Sequence, residues 1–477
     1  MNSPLHDAAW ELLTTARSAY RDDAVAVGWL DDEIDRFEGP LRIAIAGPSR
    51  SGRSTLLNAI VGDEIAPVGS AFTWYQDSRI PQAVHYRSDG TVRELPVSRA
   101  GGGLRCEVPI DPGPDDEIVV NWPSRVLRPA VLIDTPGADP AGTVLDRVRT
   151  EADAILYATP HLTDRDLRAL WPDPVHEVAG CPAVETIVVL SRADEVTGGR
   201  IDALTAARLT ARRTDREVAV RGLCQTVIAV SGLIGYAGRR LGEAEYQALA
   251  TLAEQRRPEL DEHLLSVDRF TGAGFPVPLD EPARAALLDR LGLFGIRLAT
   301  TLIRTGSASR PALSGQLVQR SGLTALREAV SELFLNRRPQ LKARAALLGL
   351  RAVLRARPNP DAGRLAAAIE HALASGHELR ELGMLAALRY GRTALPDDLA
   401  EEARRLLGGY GTGIGARLGA GEDIDDATAW ARTEKALIRW REEAENPAFT
   451  QDQRRVAQTV VRSCEGLLTD LAEKQDL

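Results

Sequence analysis

The sequence predicts an α/β domain with a mostly parallel sheet, covered by helices on both faces and flanked by all-α segments at both ends of the chain. Two observations lead to this prediction. Short apolar runs alternate with amphipathic stretches between residues 41 and 335, whereas only helical patterns follow residue 337. A glycine-rich turn follows the first apolar run, and this order of strand, turn and helix is typical of phosphate-binding loops. We therefore expect a helical segment at residues 1–38, the α/β domain at 39–335 and a helical region at 336–477.

The individual elements follow from the spacing of apolar residues and from turn residues. Residues 5–37 repeat apolar side chains every three or four positions, which predicts a helix that ends at Gly39-Pro40. Residues 62–80 are polar and irregular and predict no regular element, and Asp89-Gly90 favours a tight hairpin turn. The predicted strands cover residues 41–46, 83–86, 92–95, 104–110, 117–122, 131–134, 154–158, 186–190 and 226–230. The predicted helices that follow cover residues 201–220, 235–256, 281–302 and 322–335, and a final helix carries the apolar stripe Val456, Val460, Cys464, Leu467 and Leu471.

The composition is that of a soluble globular protein and excludes several functional classes. The 477 residues are 44% hydrophobic and 26% charged, and the net charge of −9 argues against a nucleic-acid partner. Neither a signal peptide nor a membrane-spanning apolar run is apparent, so we expect a cytoplasmic protein whose membrane contacts are peripheral. The four cysteines are widely separated and indicate reduced core thiols rather than a metal site or a disulfide framework.

The turn after the first strand carries the main functional signal. Its spacing matches the phosphate-loop pattern G-x-x-x-x-G-K-[ST], except that arginine stands in the lysine position. In this pattern, backbone N–H groups and a helix N-terminus hold the phosphates, while the serine hydroxyl binds Mg²⁺. The predicted nucleotide-binding residues of this loop are Gly47, Ser49, Arg50, Ser51, Gly52, Arg53, Ser54 and Thr55.

Two further motifs follow at the ends of predicted strands. Asp134 and Gly137 form a D-x-x-G motif, in which the aspartate reaches Mg²⁺ and the glycine N–H senses a γ-phosphate. The motif S-R-x-D, Ser191-Arg192-Ala193-Asp194, stands where guanine-specific proteins carry [NT]-K-x-D. A carboxylate at this position accepts hydrogen bonds from guanine N1–H and the exocyclic amine, which adenine lacks. Ser231-Gly232 after residues 226–230 is a weaker candidate for a last base-contacting loop. The three ordered motifs predict a guanine-nucleotide site, with Ser54 and Asp134 at the metal.

With these motifs in place, the chain resembles the bacterial dynamin-like proteins, and in particular the mycobacterial isoniazid-inducible dynamin-like family. The resemblance covers nearly the whole sequence. It includes residues 41–66, 191–195, 264–270, 294–297, 320–323, 408–409 and 416–419. It implies a P-loop GTPase-type domain that binds GTP or GDP with Mg²⁺, and a helical stalk built from both chain ends. It also implies peripheral membrane remodelling or repair, with contact to anionic lipid at the inner face of the plasma membrane, and assembly as a homodimer or with a second dynamin-like protein.

Several departures from the family pattern weaken the prediction of hydrolysis more than that of binding. Arg53 places a longer, planar guanidinium where the family has a compact lysine ammonium. A general preference for arginine offers a second explanation for this exchange, since only three of the 58 basic residues are lysines. The first switch is short and leaves Thr73, the only threonine between residues 62 and 80, as the candidate for its metal-binding threonine. The segment after Gly137 is also shorter than in relatives. Arg50 lies where guanylate-binding proteins and atlastins place an internal arginine finger, or its position is a coincidence of the same bias.

These observations leave three functions open. The first is a dynamin-like GTPase whose hydrolysis is weak or lost, with Arg50, Arg53 and Thr73 as the catalytic candidates. The second is a non-enzymatic nucleotide-binding partner of an active dynamin-like protein. The third, a P-loop ATPase, conflicts with Asp194. For membrane contact, residues 337–357 carry seven basic and no acidic side chains, a pattern that fits a lipid-surface helix or, as we favour, a helix packed within the stalk.

Overall fold

The structure is a computed structural model that describes residues 3–66, 71–100, 103–106, 113, 116–137, 142–171, 183–220, 222–272, 274–421 and 423–475. In chain order the strands are β1 Leu41–Ala46, β2 Phe72–Asp77, β3 Gln82–Tyr86, β4 Val92–Leu95, β5 Val97–Ala100, β6 Gly103–Cys106, β7 Glu117–Trp122, β8 Ala130–Asp134, β9 Ala154–Thr159, β10 Thr186–Leu190 and β11 Val227–Ala229. The helices of the first part are α1 Pro4–Ala19, α2 Ala24–Glu38, α3 Arg53–Val61, α4 Thr143–Glu151, α5 Asp164–Leu170, α6 Ala203–Arg216, α7 Gly232–Arg240, α8 Glu243–Glu254, α9 Arg257–His263, α10 Val267–Thr271, α11 Glu281–Arg304, α12 Arg310–Arg320 and α13 Leu323–Leu333. The later helices are α14 Arg338–Ala356, α15 Ala362–Ser375, α16 His377–Arg389, α17 Asp397–Leu406, α18 Ile414–Arg417, α19 Asp426–Glu445 and α20 Gln451–Gln475.

In the part of the chain that the structure describes, nine strands form one sheet in the order β11-β10-β9-β1-β8-β2-β7-β3-β4, and β5 pairs with β6 in a separate two-stranded sheet. The strands β8, β9, β10 and β11 all run parallel to β1, while β2 is antiparallel to β8. The predicted mostly parallel sheet is therefore confirmed. Because parallel strands end at the same edge, the loops after β1, β8, β10 and β11 meet on one side of the sheet.

The stretch read as irregular, residues 62–80, contains a strand in the middle of the sheet. Strand β2 pairs with β8 on one side and β7 on the other, with Thr73 opposite Asp134. Phe72 and Tyr75 are buried on opposite faces. The absence of a regular element was thus a wrong prediction, because six residues without a clear alternation become a strand once both neighbouring strands supply hydrogen bonds.

Other predicted boundaries change in smaller ways. The N-terminal helical segment is two helices, since the chain turns after Tyr20 and Asp23 caps α2 by accepting from the N–H groups of Val25 and Ala26. The predicted helix at 235–256 is also two helices, α7 and α8. The hairpin of β3 and β4 is present, and residues 107–110 of the predicted strand at 104–110 lie outside the described residues.

The core consists of three apolar clusters. One lies on the sheet face that carries α3 and continues into α1, α2, α14, α15 and α16, across both predicted boundaries at residues 38 and 335. The second covers the opposite face of the sheet under α4, α6, α7, α8 and α11. The third holds the last helices together, and it includes most of the predicted stripe on α20, whose five residues are all buried. The N-terminal helices thus obtain their apolar partners from the C-terminal part of the chain.

Two buried ion pairs also join the C-terminal helices to the sheet. Lys342 of α14 lies 3.1 Å from the Asp153 carboxylate, which Arg36 of α2 contacts at 3.0 Å. Burial lowers the pKa of Lys342 to about 8. At the far edge of the sheet, Arg392 donates to Asp215 at 2.8 Å, and the same carboxylate oxygen accepts the N–H of Val227 in β11.

The basic segment at 337–357 packs inside the protein, as we favoured. Arg344 pairs with Glu185 at 3.2 Å, Arg357 pairs with Asp23 at 2.7 Å, and Arg351 is buried. Arg337 donates to the carbonyl of Gly408. The apolar face of α14 is used for packing, so the alternative of a lipid-surface helix is wrong for this conformation. In the part of the chain that the structure describes, no helix is long and apolar enough to cross a membrane.

Candidate functional site

The loop between β1 and α3 has the backbone that a phosphate-binding turn requires. Gly47 has φ 144°, and a Cβ there would overlap the carbonyl oxygen of Ala158, so only glycine fits. Gly52, with φ 85°, starts α3 in the left-handed region. Ser54 and Thr55 lie in the first turn of α3, whose N-terminal N–H groups have no intrahelical partners. The sequence motif therefore forms a concave backbone turn at a helix N-terminus.

Arg53 is folded back onto this loop. Its Nη1 donates to the carbonyls of Gly47 at 2.7 Å and Pro48 at 2.5 Å, and its Nε donates to the Thr135 carbonyl at 3.1 Å. Burial lowers the pKa of the guanidinium. Among the described residues, Nη2 has no hydrogen-bond partner. The arginine thus ties the first turn of the loop to the segment after β8, and one face of its guanidinium group stays available.

Ser54 and Asp134 form the pair expected at a metal. The Ser54 hydroxyl donates to Oδ2 of Asp134 at 2.6 Å, while the buried Oδ1 has no hydrogen-bond partner in the described structure. Burial raises the pKa of Asp134 to about 6. A buried carboxylate oxygen without a partner, beside a hydroxyl, fits a hard cation that prefers oxygen ligands, as Mg²⁺ does. These residues therefore fit the implied magnesium ion.

The D-x-x-G segment lies against the phosphate loop. A Cβ on Gly137 would lie 2.9 Å from both Cα and Cβ of Ser49, so this close approach requires glycine. The Thr135 hydroxyl donates to the Ile45 carbonyl at 3.1 Å and holds the end of β8 next to β1. The structure thus brings Gly137 and Ser49 together, and residues 138–141 lie outside the described residues.

The S-R-x-D loop follows β10 at the same edge of the sheet. Asp194 is half-buried, and its carboxylate makes no hydrogen bond or ion pair with a described residue. Arg192 pairs with Glu195 at 2.8 Å and Ser191 is buried, its hydroxyl also without a partner among the described residues. The Asp194 carboxylate is therefore free to accept hydrogen bonds from a base.

Left-handed backbone strain concentrates in these two loops. Arg50, Arg192 and Thr197 are the non-glycine residues with positive φ in the described structure, at 61°, 51° and 60°. Each such residue costs on the order of 1 kcal/mol, and such strain is common at ligand-binding sites. All three lie in the phosphate loop or in the S-R-x-D loop. The strained positions thus coincide with the two segments that the sequence selects for nucleotide binding.

Comparison with known proteins assigns the family. Two curated proteins, both described as isoniazid-induced protein IniC, come from Mycobacterium tuberculosis strains CDC 1551 / Oshkosh and ATCC 25618 / H37Rv. Each is 35% identical to this chain over 475 residues, which is 96% of this chain and 96% of the relative. The chain belongs to the IniC family.

The other comparisons add little to this assignment. No family model matches the sequence. A solved structure, described as an oligomerised bacterial dynamin pair that provides a mechanism for long-range sensing and tethering of membranes, aligns over 99% of this chain and 74% of that chain. The identity is 13% and the TM-score is 0.33, and a second structure with the same description gives 12% and 0.30. At such low scores the family assignment comes from the sequence relatives alone.

Other residues predicted for the nucleotide site in this IniC-family chain are Ser231, Gly232 and Thr73, and their contacts leave those roles open. Ser231 is fully buried and accepts the N–H of Ile234, so its side chain caps α7, and Gly232 lies against the backbone of α3. The buried Thr73 hydroxyl donates to the carbonyl of Ala71, although the residue lies opposite Asp134. Base contact by the Ser231 loop and metal contact by Thr73 stay predictions.

Arg50 and Ser51 of the phosphate loop differ in their exposure to solvent. Arg50 is exposed and has no partner among the described residues, so its guanidinium is free to reach a bound phosphate. Ser51 is buried, and its hydroxyl also has no partner in the described structure.

Of the cysteines, Cys224 and Cys464 are free and buried. The described residues contain no cluster of three or more histidine, cysteine or acidic side chains that could hold a metal.

Sequence reasoning missed two residues that hold the phosphate-loop helix. Arg239 of α7 donates to the carbonyls of Ala59 and Ile60 at the C-terminus of α3, at 2.8 and 2.6 Å. Asn58 accepts the N–H groups of Ile65 and Ala66, each at 2.9 Å. Gly62 carried a local signal for the first contact, because a glycine after a helix leaves room for a side chain from elsewhere. Nothing local identified Arg239 as that side chain.

Proposed function

We propose that this chain binds GTP or GDP together with Mg²⁺ at the edge of the sheet where the phosphate loop meets the loops that follow β8, β10 and β11. The observation that carries the proposal is the Ser54–Asp134 pair with the partnerless Oδ1 of Asp134. Ser54 would bind the ion directly and Asp134 would hold it, directly or through water. Bound Mg²⁺ supplies charge neutralisation at the β- and γ-phosphates. Gly47, Ser49 and Ser51 would surround the phosphates.

Asp194 is the residue that would select guanine in this proposal. Its carboxylate is half-buried, lies after β10, the second strand from one edge of the sheet, and has no competing partner among the described residues. It would accept the guanine N1–H and amine hydrogens, and Arg192 would lie along the base. Adenine in ATP has an acceptor at N1 and no amine at the two-position, so it lacks both donors that this carboxylate would bind. A site built on these hydrogen bonds should therefore discriminate strongly between the two bases.

Hydrolysis by this chain is proposed to be weak. Arg53 donates three hydrogen bonds to carbonyls of its own loop and of Thr135. A lysine at this position would instead extend a compact charge to the phosphates. The Thr73 hydroxyl is used by the Ala71 carbonyl. Arg50 is the remaining candidate for transition-state charge stabilisation, because it is exposed at the rim of the loop.

Calorimetry with GDP, GTP and ATP in the presence of Mg²⁺ tests the binding proposal. We expect heat from both guanine nucleotides and none from ATP. Folded protein, checked by circular dichroism, that gives no heat with either guanine nucleotide would refute guanine-nucleotide binding. Equal affinity for ATP and GTP would instead favour the ATPase alternative. Phosphate release measured in the same samples, with and without liposomes, tests the proposal of weak hydrolysis.

A second candidate is a non-enzymatic subunit that binds nucleotide and assembles with an active dynamin-like protein. The back-folded Arg53 favours it, since the carbonyls of Gly47, Pro48 and Thr135 already accept hydrogen bonds from its guanidinium. Mixing the chain with a lysine-bearing dynamin-like protein separates the two candidates. The second candidate predicts that the mixture forms a larger complex on a sizing column, while the isolated chain releases no phosphate above background.

We propose a cellular role in peripheral membrane remodelling or repair at the inner face of the plasma membrane, on the strength of family membership. The helices after residue 335 would act with those before residue 39 as a stalk, because α1 and α2 pack on α14 and α15. Contact with anionic lipid would come from a segment other than α14. Co-sedimentation with anionic and with neutral liposomes tests this role, and failure to bind either would refute direct lipid contact.

A further inference from the structure

Arg297, on α11, connects three distant parts of the chain. Its Nη1 donates to the carbonyl of Gly199 at 3.3 Å, and its Nη2 donates to the carbonyl of Leu264 at 2.5 Å. Gly199 ends the turn that follows the S-R-x-D motif, and Leu264 follows α9. Arg297 is half-buried, and it makes no ion pair with a described residue. In the described structure, the hydrogen bonds of the Arg297 guanidinium group are therefore both made to backbone carbonyls.

The segment that Arg297 holds is the strained end of the proposed guanine loop. Thr197, Gly198 and Gly199 have successive positive φ values of 60°, 68° and 70°. A Cβ on Gly199 would lie 3.7 Å from the carbonyl oxygen of Asp194, so this turn folds back over the backbone of the aspartate. Strained backbone persists only where the surroundings hold it. Arg297 provides such a hold from outside the loop.

Helix α11 also contacts the second candidate base loop. A Cβ on Gly295 would lie 2.6 Å from Cδ1 of Ile234, so α11 packs closely on the start of α7, directly after Ser231-Gly232. One helix therefore touches the segments behind both Asp194 and Ser231. Because protein interiors are close-packed, a shift of α11 moves both segments together.

We propose that Arg297 is a positioning residue that fixes the Asp194 carboxylate for guanine and thereby sets base selectivity. The inference rests on the proposed guanine-nucleotide binding. Without the two hydrogen bonds, residues 197–199 are free to relax from their left-handed conformation, and Asp194 loses its fixed distance from the base. Contacts to the phosphates are unaffected, since the phosphate loop lies on another strand and makes no contact with Arg297.

Base selectivity can be measured with GDP and inosine diphosphate, which lacks the exocyclic amine that Asp194 would recognise. Calorimetry on the full chain with Mg²⁺ gives the ratio of the two dissociation constants. In the unsubstituted protein we expect GDP to bind about tenfold or more tightly, as for a hydrogen bond to a charged group. In Arg297→Met, which keeps the aliphatic stem, we expect weaker GDP binding and a ratio at least about threefold smaller. Arg297→Lys should recover part of the ratio, because an ammonium reaches one carbonyl at a time.

The chain offers a matched control on the same helix. Arg304 of α11 donates to the carbonyls of Ala253 and Gln255, at 2.8 and 2.7 Å, and neither carbonyl belongs to a nucleotide loop. Arg304→Met removes the same kind of contact at an exposed position, so we expect a smaller fall in melting temperature and an unchanged GDP-to-inosine-diphosphate ratio.

The outcomes separate this inference from the function on which it rests. If the unsubstituted protein binds no GDP, the proposed function fails. If it binds GDP and the ratio in Arg297→Met equals that in Arg304→Met, the positioning role is overturned. If Arg297→Met does not fold, Arg297→Lys decides, and an unchanged ratio in that variant overturns the role.

Discussion

Asp134→Asn should make the protein more stable and less able to bind Mg²⁺·nucleotide. The carboxylate of Asp134 is buried beside Ser54 with one oxygen unpaired, so the folded chain carries the cost of a poorly solvated negative charge. Asparagine has nearly the same shape and no charge. Its amide oxygen can accept the Ser54 hydrogen bond, whereas it provides no carboxylate for the metal.

The pKa of Asp134 gives the size and the pH window of this effect. Burial raises the pKa from its ordinary value of 3.8 to about 6. Between these values the folded chain holds a proton that the unfolded chain has released, so the free energy of unfolding falls as the pH rises. Above pH 6 the full penalty is present, and it amounts to about 3 kcal/mol. With an unfolding entropy of about 2.1 cal/mol/K per residue, this corresponds to roughly 3 °C in Tm for a chain of this length.

Thermal unfolding of both proteins at pH 4, 6 and 7.5 without nucleotide measures the effect. We expect Asp134→Asn to unfold about 3 °C above the unsubstituted protein at pH 7.5 and at nearly the same temperature at pH 4. Added Mg²⁺·GDP should raise the Tm of the unsubstituted protein more than that of the variant. Asp194→Asn removes a half-buried carboxylate from the same site and serves as the control for the measurement without nucleotide. A gain that is equal at pH 4 and 7.5, or a loss at pH 7.5, would refute the reasoning.

Three further predictions concern the nucleotide loops and the contact between the C-terminal helices and the sheet. Arg53→Lys should increase phosphate release by about tenfold or more, since a lysine cannot span the loop carbonyls and extends toward the phosphates; an unchanged rate in a malachite-green assay would contradict this. Asp194→Asn should weaken GDP binding by at least about tenfold in calorimetry, because an amide accepts fewer hydrogen bonds, while equal affinities would remove the residue from base recognition. Arg392→Ala leaves the buried Asp215 without its partner and should cost about 3–5 kcal/mol, or roughly 3–5 °C in Tm. The half-exposed Arg389, paired with Glu332, is its control: Arg389→Ala should cost less than about 1 kcal/mol, and equal losses would refute the difference in burial.

The parts of the fold that sequence predicted are those whose signals are local. The glycines of the phosphate loop have to be glycines for reasons that the motif already contains, namely left-handed backbone at Gly52 and a close approach at Gly47. The buried parallel strands β8, β9 and β10 are continuous apolar runs, which is typical of strands covered on both faces. The stripe on α20 needed only its own helical period.

The parts that sequence could not predict depend on neighbours distant in the chain. Strand β2 has no clear alternation of its own and exists because β7 and β8 lie on either side of it. The pattern of residues 337–357 fitted two environments, of which we favoured the interior, and the ion pairs with Asp153 and Glu185 in the folded chain decide for it. The sequence pattern of a basic helix is the same whether its charges face lipid or buried carboxylates.

By itself, the sequence determined the α/β class, the three motifs of the proposed nucleotide site and the candidate roles of Ser54, Asp134 and Asp194, because each motif combines a strand end with a specific chemical group. Only the tertiary structure decided where the Arg53 guanidinium goes, which carbonyls Arg239 and Arg297 hold, and how the chain ends join the sheet. These contacts link residues tens to hundreds of positions apart, and a side chain's partner at such separation is set by how the helices pack on the sheet rather than by any local spacing.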